Sequence, residues 1–273
     1  MLWWFILACR HPERPTVVLF SIDGASADLI DDEWDNLSAL PELAESGGHY
    51  PAELYGVSDT RAAHARMLTG YPASVTGVYS ASDWLQIPPD LSAPERLRDE
   101  FEDDLSMAFI AAKPSMIGFE EGETFFHVAA PFDVAENEAF STAELGGKMR
   151  DAVDKLSDRP LFAFFHFAEV DRWGHAHGER STEQREALRS VDDEIGRVME
   201  RFEDRPVTVI VTSDHGFEEG TNTHTSNARD VFMIANLPLS NVISQSQVAW
   251  TILDLYGLDP DEYSPAPEHD SMQ

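Results

Sequence analysis

The stretch TVVLFSIDG (16–24) decides the fold class. Its first seven residues are mostly apolar and rich in β-branched side chains, a pattern that predicts a strand buried on both faces. The strand runs directly into Asp23 and Gly24. Similar buried strands are predicted at PLFAFFHFA (160–168) and PVTVIVT (206–212). The chain is therefore built on a sheet whose strands are covered on both sides.

Helical patterns separate these strands. We predict helices in the later part of 32–48, from Arg61 to Leu68, and at 136–157, 181–204 and 245–257. Further strands are expected at 49–55, 106–112, 124–130 and 231–235. This alternation predicts an α/β fold with a doubly wound, mostly parallel central sheet and helices on both faces. Ligands bind beyond the carboxyl ends of the strands in such sheets, so we expect the site at that edge.

The charge balance limits the partners. The chain has 273 residues, with 19 Lys and Arg against 50 Asp and Glu, a net charge of -31. Such a surface repels nucleic acid and anionic membranes, and we expect no nucleic-acid-binding surface. A small anionic substrate would need a local positive centre, which bound metal ions supply. We expect one domain at 10–260 and a mobile acidic tail at 261–273.

The N-terminal segment MLWWFILAC (1–9) ends at Cys9, the single cysteine, so no intramolecular disulfide forms. The apolar run is too short to span a bilayer. ILAC resembles a bacterial lipobox, which predicts membrane attachment through a lipidated Cys9 in the cell envelope. No Lys or Arg precedes the run. The alternative is a plain hydrophobic N-terminus on a cytoplasmic protein.

Acids and histidines follow several strands and collect at one edge of the predicted sheet. Carboxylate oxygens and neutral imidazole nitrogens are ligands that zinc accepts. No thiol lies near them in the sequence, which argues against a structural cage of the cysteine type. The candidate ligands are Asp23, Asp171, His175, Asp214, His215 and His224.

Each of these residues also has a structural interpretation. An Asp-Gly or Asp-His-Gly sequence after a strand is commonly a turn. His175, together with the nearby His177, fits a surface loop flanked by glycines. Thr60 fits a helix N-cap. His127 and His166 lie inside apolar runs and are expected in the core or behind the site.

Five motifs together resemble the alkaline phosphatase superfamily, in the style of type I phosphodiesterases, nucleotide pyrophosphatases and related phosphatases. They run from residue 17 to 225: VVLFSIDG, SDTRAAHARMLTGYPASVTGVY, EVDRWGHAHG, TSDHG and the later HT. The family fold is a doubly wound α/β sheet, in agreement with the pattern of strands and helices. Thr60 stands nine residues before Thr69 of the Thr-Gly pair, the spacing that the family uses.

The resemblance implies a site with two divalent metal ions, most simply Zn²⁺. It assigns one ion to Asp23, Asp214 and His215, and the other to Asp171, His175 and His224. Thr60 corresponds to the nucleophile, held by metal and passing through a phosphothreonine intermediate. Arg61 and His64 are implied as substrate-binding residues. The phosphodiesterase branch usually has an Asn where this chain has Ala63, which leaves one substrate contact open.

Two other functions remain open at this stage. Sulfatases share the fold, but they convert a Cys or Ser in a Cys/Ser-x-Pro-x-Arg setting, and residues 60–64 read TRAAH. A non-catalytic, envelope-tethered binding protein could use the same scaffold, because fold alone does not imply function. The sequence does not separate phosphate monoesters from diesters.

Overall fold

A seven-stranded sheet forms the centre of the computed structural model, which describes residues 14–225, 228–263, 265 and 272. The strand order is β2-β7-β6-β1-β5-β3-β4. Strands β1, β3, β4, β5 and β6 are mutually parallel, and β7 runs antiparallel to both β2 and β6. The strands are β1 (Val17–Ile22), β2 (Gly48–Glu53), β3 (Ser106–Ala111), β4 (Val134–Asn137), β5 (Leu161–Phe167), β6 (Thr208–Thr212) and β7 (Asp230–Ala235).

Ten α-helices connect the described strands. Several begin with a side-chain cap, and α5 and α7 each carry a full capping box, from Ser92 with Glu95 and from Ser141 with Glu144. The helices are α1 (Ala27–Glu33), α2 (Ala39–Ser46), α3 (Thr60–Thr69), α4 (Ala73–Thr76), α5 (Ala93–Phe101), α6 (Phe126–Ala129), α7 (Thr142–Lys155), α8 (Glu169–His177), α9 (Thr182–Met199) and α10 (Val248–Leu255).

Helices cover both faces of the sheet, as predicted. Alternate residues of β1 point to opposite sides, so Val17 and Leu19 join one core while Val18 and Phe20 join the other. The first core is closed by α3, α5 and α10, and the second by α1, α2, α7 and α9. This two-sided burial explains why the central strands read as continuous apolar runs.

One predicted strand is wrong. Residues 124–130 contain the short helix α6, and Phe125, Val128 and Ala129 pack into the first core at helical spacing. The edge position beside β3 is taken instead by β4, at residues 134–137. The helix predicted from 136 therefore begins later, at Thr142, after the Ser141 cap.

The two chain termini fall largely outside the described residues. The predicted lipobox at Cys9 and the whole 1–9 segment lie there, so the anchor stays a prediction. Of the predicted tail, Met272 is fully buried, and its backbone N–H donates to Thr251 Oγ1 at 2.9 Å. No helix in the described part of the chain is long and apolar enough to cross a bilayer.

The strands β1, β5 and β6 are parallel neighbours, so their carboxyl ends lie next to one another at one edge of the sheet. The Asp23 backbone N–H donates to Phe167 O at 2.9 Å, which extends the ladder between β1 and β5 by one step. Gly24 then turns the chain with a φ of +74°. A Cβ at Gly24 would lie 2.8 Å from the Asp171 Cα, so the turn packs directly against the segment after β5.

Replacing Gly24 with alanine should lower the free energy of unfolding by about 3 kcal/mol. A left-handed backbone costs an alanine about 1–2 kcal/mol, and overpacking against a fixed backbone adds a comparable amount. Chemical denaturation of the purified variant measures this loss. Gly220→Ala is the matched control, because Gly220 has a φ of +69° but open space around its Cβ position. Equal losses in the two variants would contradict the close packing inferred at Gly24.

Candidate active site

Thr60 is the first residue of α3 and does not cap it. Asp59 is the N-cap, and its carboxylate accepts the backbone N–H groups of Arg61 and Ala62. The Thr60 hydroxyl is therefore free to face the sheet edge. Its Oγ1 lies 3.3 Å from His215 Nε2 and 3.1 Å from Lys113 Nζ. The structure thus separates the capping role from the residue that the resemblance marks as the nucleophile.

Three candidate ligands gather beside Thr60 at the ends of β1 and β6. His215 Nε2 lies 3.5 Å from Asp23 Oδ1 and 3.3 Å from Asp214 Oδ2. All three side chains are fully buried. The ligand atoms of the trio lie within 4.8 Å of one another. This is the set that the family resemblance implies for one metal ion.

The second predicted set also comes together. The segment after β5 forms α8 rather than a loop, so Asp171 and His175 share one helix face at i and i+4. His175 Nε2 lies 3.3 Å from Asp171 Oδ1 and 3.0 Å from His224 Nε2. His224 Nε2 is 3.7 Å from the same Asp171 oxygen. His215 also approaches Asp171 and His224 within 4.8 Å, so the two sets adjoin.

The three candidate histidines share one orientation. The Nδ1 of His175 faces Asn222 O, that of His215 faces Gly216 O, and that of His224 faces Ser58 O. A carbonyl oxygen only accepts, so each Nδ1 carries the hydrogen and a neutral ring presents an Nε2 lone pair to the site. Burial, followed by the nearby His215, lowers the pKa of His224, which favours its neutral form.

The three carboxylates are divided in a similar way. Asp23 Oδ2 contacts His166 and Lys113, Asp171 Oδ2 contacts Lys113, and Asp214 Oδ1 accepts two backbone N–H groups. The opposite oxygens, Asp23 Oδ1, Asp171 Oδ1 and Asp214 Oδ2, are buried and have no hydrogen-bond partner. Leaving a buried acceptor without a hydrogen-bond partner costs free energy, so a cation bound to these three oxygens would stabilise the site.

The spacing of these atoms fits divalent metal ions. A tetrahedral ion with bonds of about 2.0–2.1 Å holds its ligand atoms about 3.3 Å apart. The separations of Asp23, Asp214 and Thr60 from His215 Nε2 are 3.5, 3.3 and 3.3 Å. Those within the Asp171, His175 and His224 set are 3.0 to 3.7 Å. Two adjoining lone-pair nitrogens at 3.0 Å repel each other unless a cation lies between them.

Lys113 is the site residue that the sequence analysis missed. It follows β3, and its Nζ lies 2.6 Å from Asp23 Oδ2 and 2.8 Å from Asp171 Oδ2. Burial lowers the pKa of Lys113, but the Asp23 and Asp171 charges outweigh it and the pKa is raised. The ammonium therefore remains charged at neutral pH. One signal was present: a lysine at the carboxyl end of a strand in a chain with few basic residues.

The pKa values of two site carboxyls, Asp23 and Asp214, are shifted in opposite directions. Burial raises the pKa of Asp23, yet Lys113 and the hydrogen bond from His166 outweigh it and hold the pKa well below the usual value. Burial and the negative charge of Asp23 raise the pKa of Asp214 well above its usual value. Without metal, the Asp23 charge is therefore stabilised and the Asp214 charge is not.

His64 lies behind the nucleophile and is fully buried. Its Nδ1 bonds to Thr60 O at 2.7 Å and its Nε2 to Ser21 Oγ at 2.8 Å. Both ring nitrogens are thus used within the protein, so we treat His64 as a positioning residue for the Thr60 turn. His166 is also fully buried and orients Asp23 from behind, as expected of a supporting residue. His127 lies in α6.

The Arg61 side chain contacts the segment at 81–84. Its Nη1 donates to Ala81 O at 2.9 Å, and its guanidinium lies 4.6 Å from the ring centroid of Trp84. The guanidinium is thus engaged by Ala81 and Trp84, and the contact of Arg61 with phosphoryl oxygens stays a prediction. The residue instead ties the start of α3 to a hairpin at 77–86.

Comparison with known proteins shows which proteins the chain resembles. A family model described as type I phosphodiesterase / nucleotide pyrophosphatase matches residues 17–88 and 82–270. Mouse GPI ethanolamine phosphate transferase 1 is 24% identical over 238 residues, covering 76% of this chain and 24% of its own length. Human ectonucleotide pyrophosphatase/phosphodiesterase family member 1 is 25% identical over 234 residues, and the match covers 77% of this chain and 24% of the human protein. The chain spans about a quarter of these relatives.

Solved structures share the fold. The alkaline phosphatase of the Antarctic bacterium TAB5 aligns with a TM-score of 0.63 and 15% identity, over 90% of this chain and 99% of the phosphatase. A variant of that enzyme was solved with Mg bound. A 2-O GAG sulfatase aligns with a TM-score of 0.65 and 13% identity, over 95% of this chain and 73% of the sulfatase. At these identities the likeness shows the fold alone.

Replacing Lys113 with methionine should destabilise the metal-free protein by about 3–5 kcal/mol, because removing one partner of a buried ion pair strands the remaining charges. Denaturant unfolding in the presence of a chelator measures the loss. Lys148→Met is the matched control, since Lys148 pairs with Glu136 on an exposed surface and should change stability little. A Lys113 variant as stable as the Lys148 variant would rule out this role for the ammonium.

Proposed function

Because the chain belongs to the type I phosphodiesterase / nucleotide pyrophosphatase family, we propose that it is a metal-dependent hydrolase of phosphate esters with Thr60 as its nucleophile. One observation carries this proposal. The Thr60 Oγ1 lies beside two sets of unpartnered ligand atoms and within 3.1 Å of the Lys113 ammonium. A hydroxyl held among metal ligands and a fixed cation suits attack on phosphorus.

The residues that would hold the two metal ions are those of the two sets. Asp23, Asp214 and His215 would hold one ion together with the Thr60 oxygen, and Asp171, His175 and His224 would hold the other. When bound, such ions lower the pKa of a hydroxyl or water and offset the charge of the phosphoryl group. We propose zinc, on the basis of the mixed nitrogen and oxygen ligands.

The chain's own residues perform defined parts of the reaction. The Thr60 Oγ–P bond forms as the bond between phosphorus and the ester oxygen breaks, which releases the alcohol and leaves a phosphothreonine. Water then cleaves the bond between phosphorus and the Thr60 oxygen, which restores the hydroxyl and releases phosphate from a monoester or the remaining phosphate monoester from a diester. Lys113 is placed to donate to oxygens of a phosphoryl group on Thr60, since its Nζ already lies 3.1 Å from the Thr60 oxygen.

The same arrangement explains how an anion could enter a protein of net charge -31. Two divalent ions and Lys113 would outweigh the three site carboxylates, so the mouth of the site would be locally positive. The relatives fit this chemistry by their names, a phosphate transferase and a pyrophosphatase/phosphodiesterase. We further propose that the protein works in the cell envelope, attached through Cys9.

A panel of matched substrates tests the proposed function. Zinc-loaded protein should hydrolyse p-nitrophenyl phosphate or bis(p-nitrophenyl) phosphate well above the rate for p-nitrophenyl sulfate. The larger of the two phosphate rates then identifies the protein as a monoesterase or a diesterase. Preference for the sulfate would support the sulfatase alternative, and no turnover of any of the three would support a binding protein.

Replacing Thr60 with alanine should reduce hydrolysis by about 10³-fold or more, because the covalent route is lost. Metal content should stay near that of the wild type, since the other ligands remain. Thr60→Ser is the matched control and should keep a large part of the activity. Acid quenching during turnover, followed by mass spectrometry, should find phosphate on Thr60 of the wild type. Near wild-type activity in Thr60→Ala would exclude this nucleophile.

Two histidines of α8 provide a matched test of the metal site. His175→Ala should lower the zinc bound per chain and weaken its affinity by about 10–100-fold or more. His177→Ala should not, because His177 lies near Glu183 and outside both ligand sets. Elemental analysis after gel filtration measures both variants. Equal zinc content in the two variants would refute the assignment of His175.

A further inference from the structure

The exposed large hydrophobic side chains of the described chain are concentrated at one edge of the sheet. Tyr55 and Val57 are more than a third exposed and lie on the segment that leads from β2 into Thr60. β2 points in the same direction as the parallel strands, because two successive antiparallel pairings separate it from β6. These two side chains therefore protrude beside the proposed nucleophile.

The hairpin at 77–86 contributes three more. Tyr79 and Leu85 are exposed by 48% and 67%, and Trp84 by 36%. The Val78 and Trp84 backbones pair within the hairpin, and the Tyr79 N–H donates to Asp83 O. Arg61 anchors the hairpin to the first turn of α3 through Trp84 and Ala81. The Trp84 ring is thus held over the guanidinium of Arg61, the residue that follows Thr60.

The remaining exposed hydrophobic side chains lie at the same edge. Phe119 is 58% exposed on the segment that leaves β3, six residues beyond Lys113. Trp173 protrudes from α8 beside His177, on the helix face opposite that of Asp171 and His175. Ile243 is joined to the end of β2, since its carbonyl accepts the Glu53 N–H. None protrudes from the opposite edge within the described residues.

The exposed hydrophobic side chains at this edge, from Tyr55 to Ile243, are called the apolar rim. We propose that the apolar rim binds an uncharged, apolar ester group of the substrate, such as a fatty alkyl chain. The proposal rests on the proposed function, because it names the part of the phosphate ester that extends out of the same site. Exposed apolar patches on a protein surface mark binding sites, and this one includes Val57, three residues before Thr60, and Trp84, whose ring lies over the Arg61 guanidinium. The rest of the surface is strongly acidic, which disfavours an ester group with further negative charge.

Phosphonates test the rim without turnover. Calorimetry with the zinc-loaded protein should show octylphosphonate binding at least about tenfold more tightly than methylphosphonate, below the micelle concentration. Full burial of one methylene tightens binding about fourfold, and the expected value assumes that only part of the chain is covered. Octylphosphonate that binds no more tightly than methylphosphonate, or does not bind, overturns the proposal.

Matched variants locate the effect. Trp84→Ala and Leu85→Ser should each reduce the ratio of octyl to methyl affinity several-fold, whereas Trp84→Phe and Leu85→Met should preserve it. Leu85 is largely exposed, so its substitution should leave the fold intact. A ratio that is unchanged in both Trp84→Ala and Leu85→Ser places the alkyl chain elsewhere and overturns the assignment to this rim.

Two further comparisons separate the possible failures. On Thr60→Ala protein, adenosine 5′-monophosphate that binds more tightly than octylphosphonate would overturn the apolar group in favour of a nucleoside. Hydrolysis of p-nitrophenyl phosphate reports on the proposed function independently. A protein that hydrolyses this ester but does not distinguish the phosphonates keeps its function and loses the rim. One that distinguishes them without hydrolysis keeps the rim and loses the function.

Discussion

Three carboxylates buried side by side at the end of the sheet are the constraint on which the site depends. Asp23, Asp171 and Asp214 each keep one oxygen bound to protein donors and leave the other without a partner. Such an arrangement is unfavourable unless positive charge stands among the carboxylates. Lys113 supplies one charge, from the side of Asp23 and Asp171. The free oxygens and the imidazole lone pairs define where further cations would stand.

The fold supplies this arrangement through the position of β1. Because β1 lies between β5 and β6, the three segments that follow these strands lie next to one another at one edge of the sheet, and each carries site residues. The turn at Gly24 packs against Asp171 closely enough to exclude a side chain. Thr60 is held at the start of α3. Asp59 caps this helix, and the ring of His64 bonds to the Thr60 carbonyl. Strand ends and helices thus hold Asp23, Thr60, Asp171 and His175, while the segments that follow β3 and β6 carry Lys113, Asp214, His215 and His224.

Much of this could be predicted from the sequence. The buried strands 16–22, 160–168 and 206–212 are long apolar runs, and the rule for parallel sheets then placed Asp23, Asp171 and Asp214 at one edge. The strand predicted at 124–130 failed because a short apolar run does not distinguish a strand from a buried helical turn. The helix α8 was hidden by Gly174 within it and Gly178 just after it, although its acids and histidines stand at helical spacing.

Tertiary contacts determine the features that the sequence did not show. Lys113 is isolated in the sequence and becomes part of the site only when β3 and its following segment are folded beside β5. His64 has the spacing of a substrate ligand, yet Ser21 and the Thr60 carbonyl occupy its ring in the fold. Arg61 is drawn towards Trp84, twenty-three residues away. Pattern and spacing identify which residues share an edge, but not which atoms face one another.

Crystallography of the zinc-soaked protein with anomalous diffraction is the most direct test of the proposed metal centre. We predict two zinc peaks about 3.5–4 Å apart. One should contact Asp23, Asp214, His215 and Thr60, and the other Asp171, His175 and His224. The Lys113 ammonium should still contact the Oδ2 atoms of Asp23 and Asp171. A single peak, or two peaks bound to other side chains, would contradict the account.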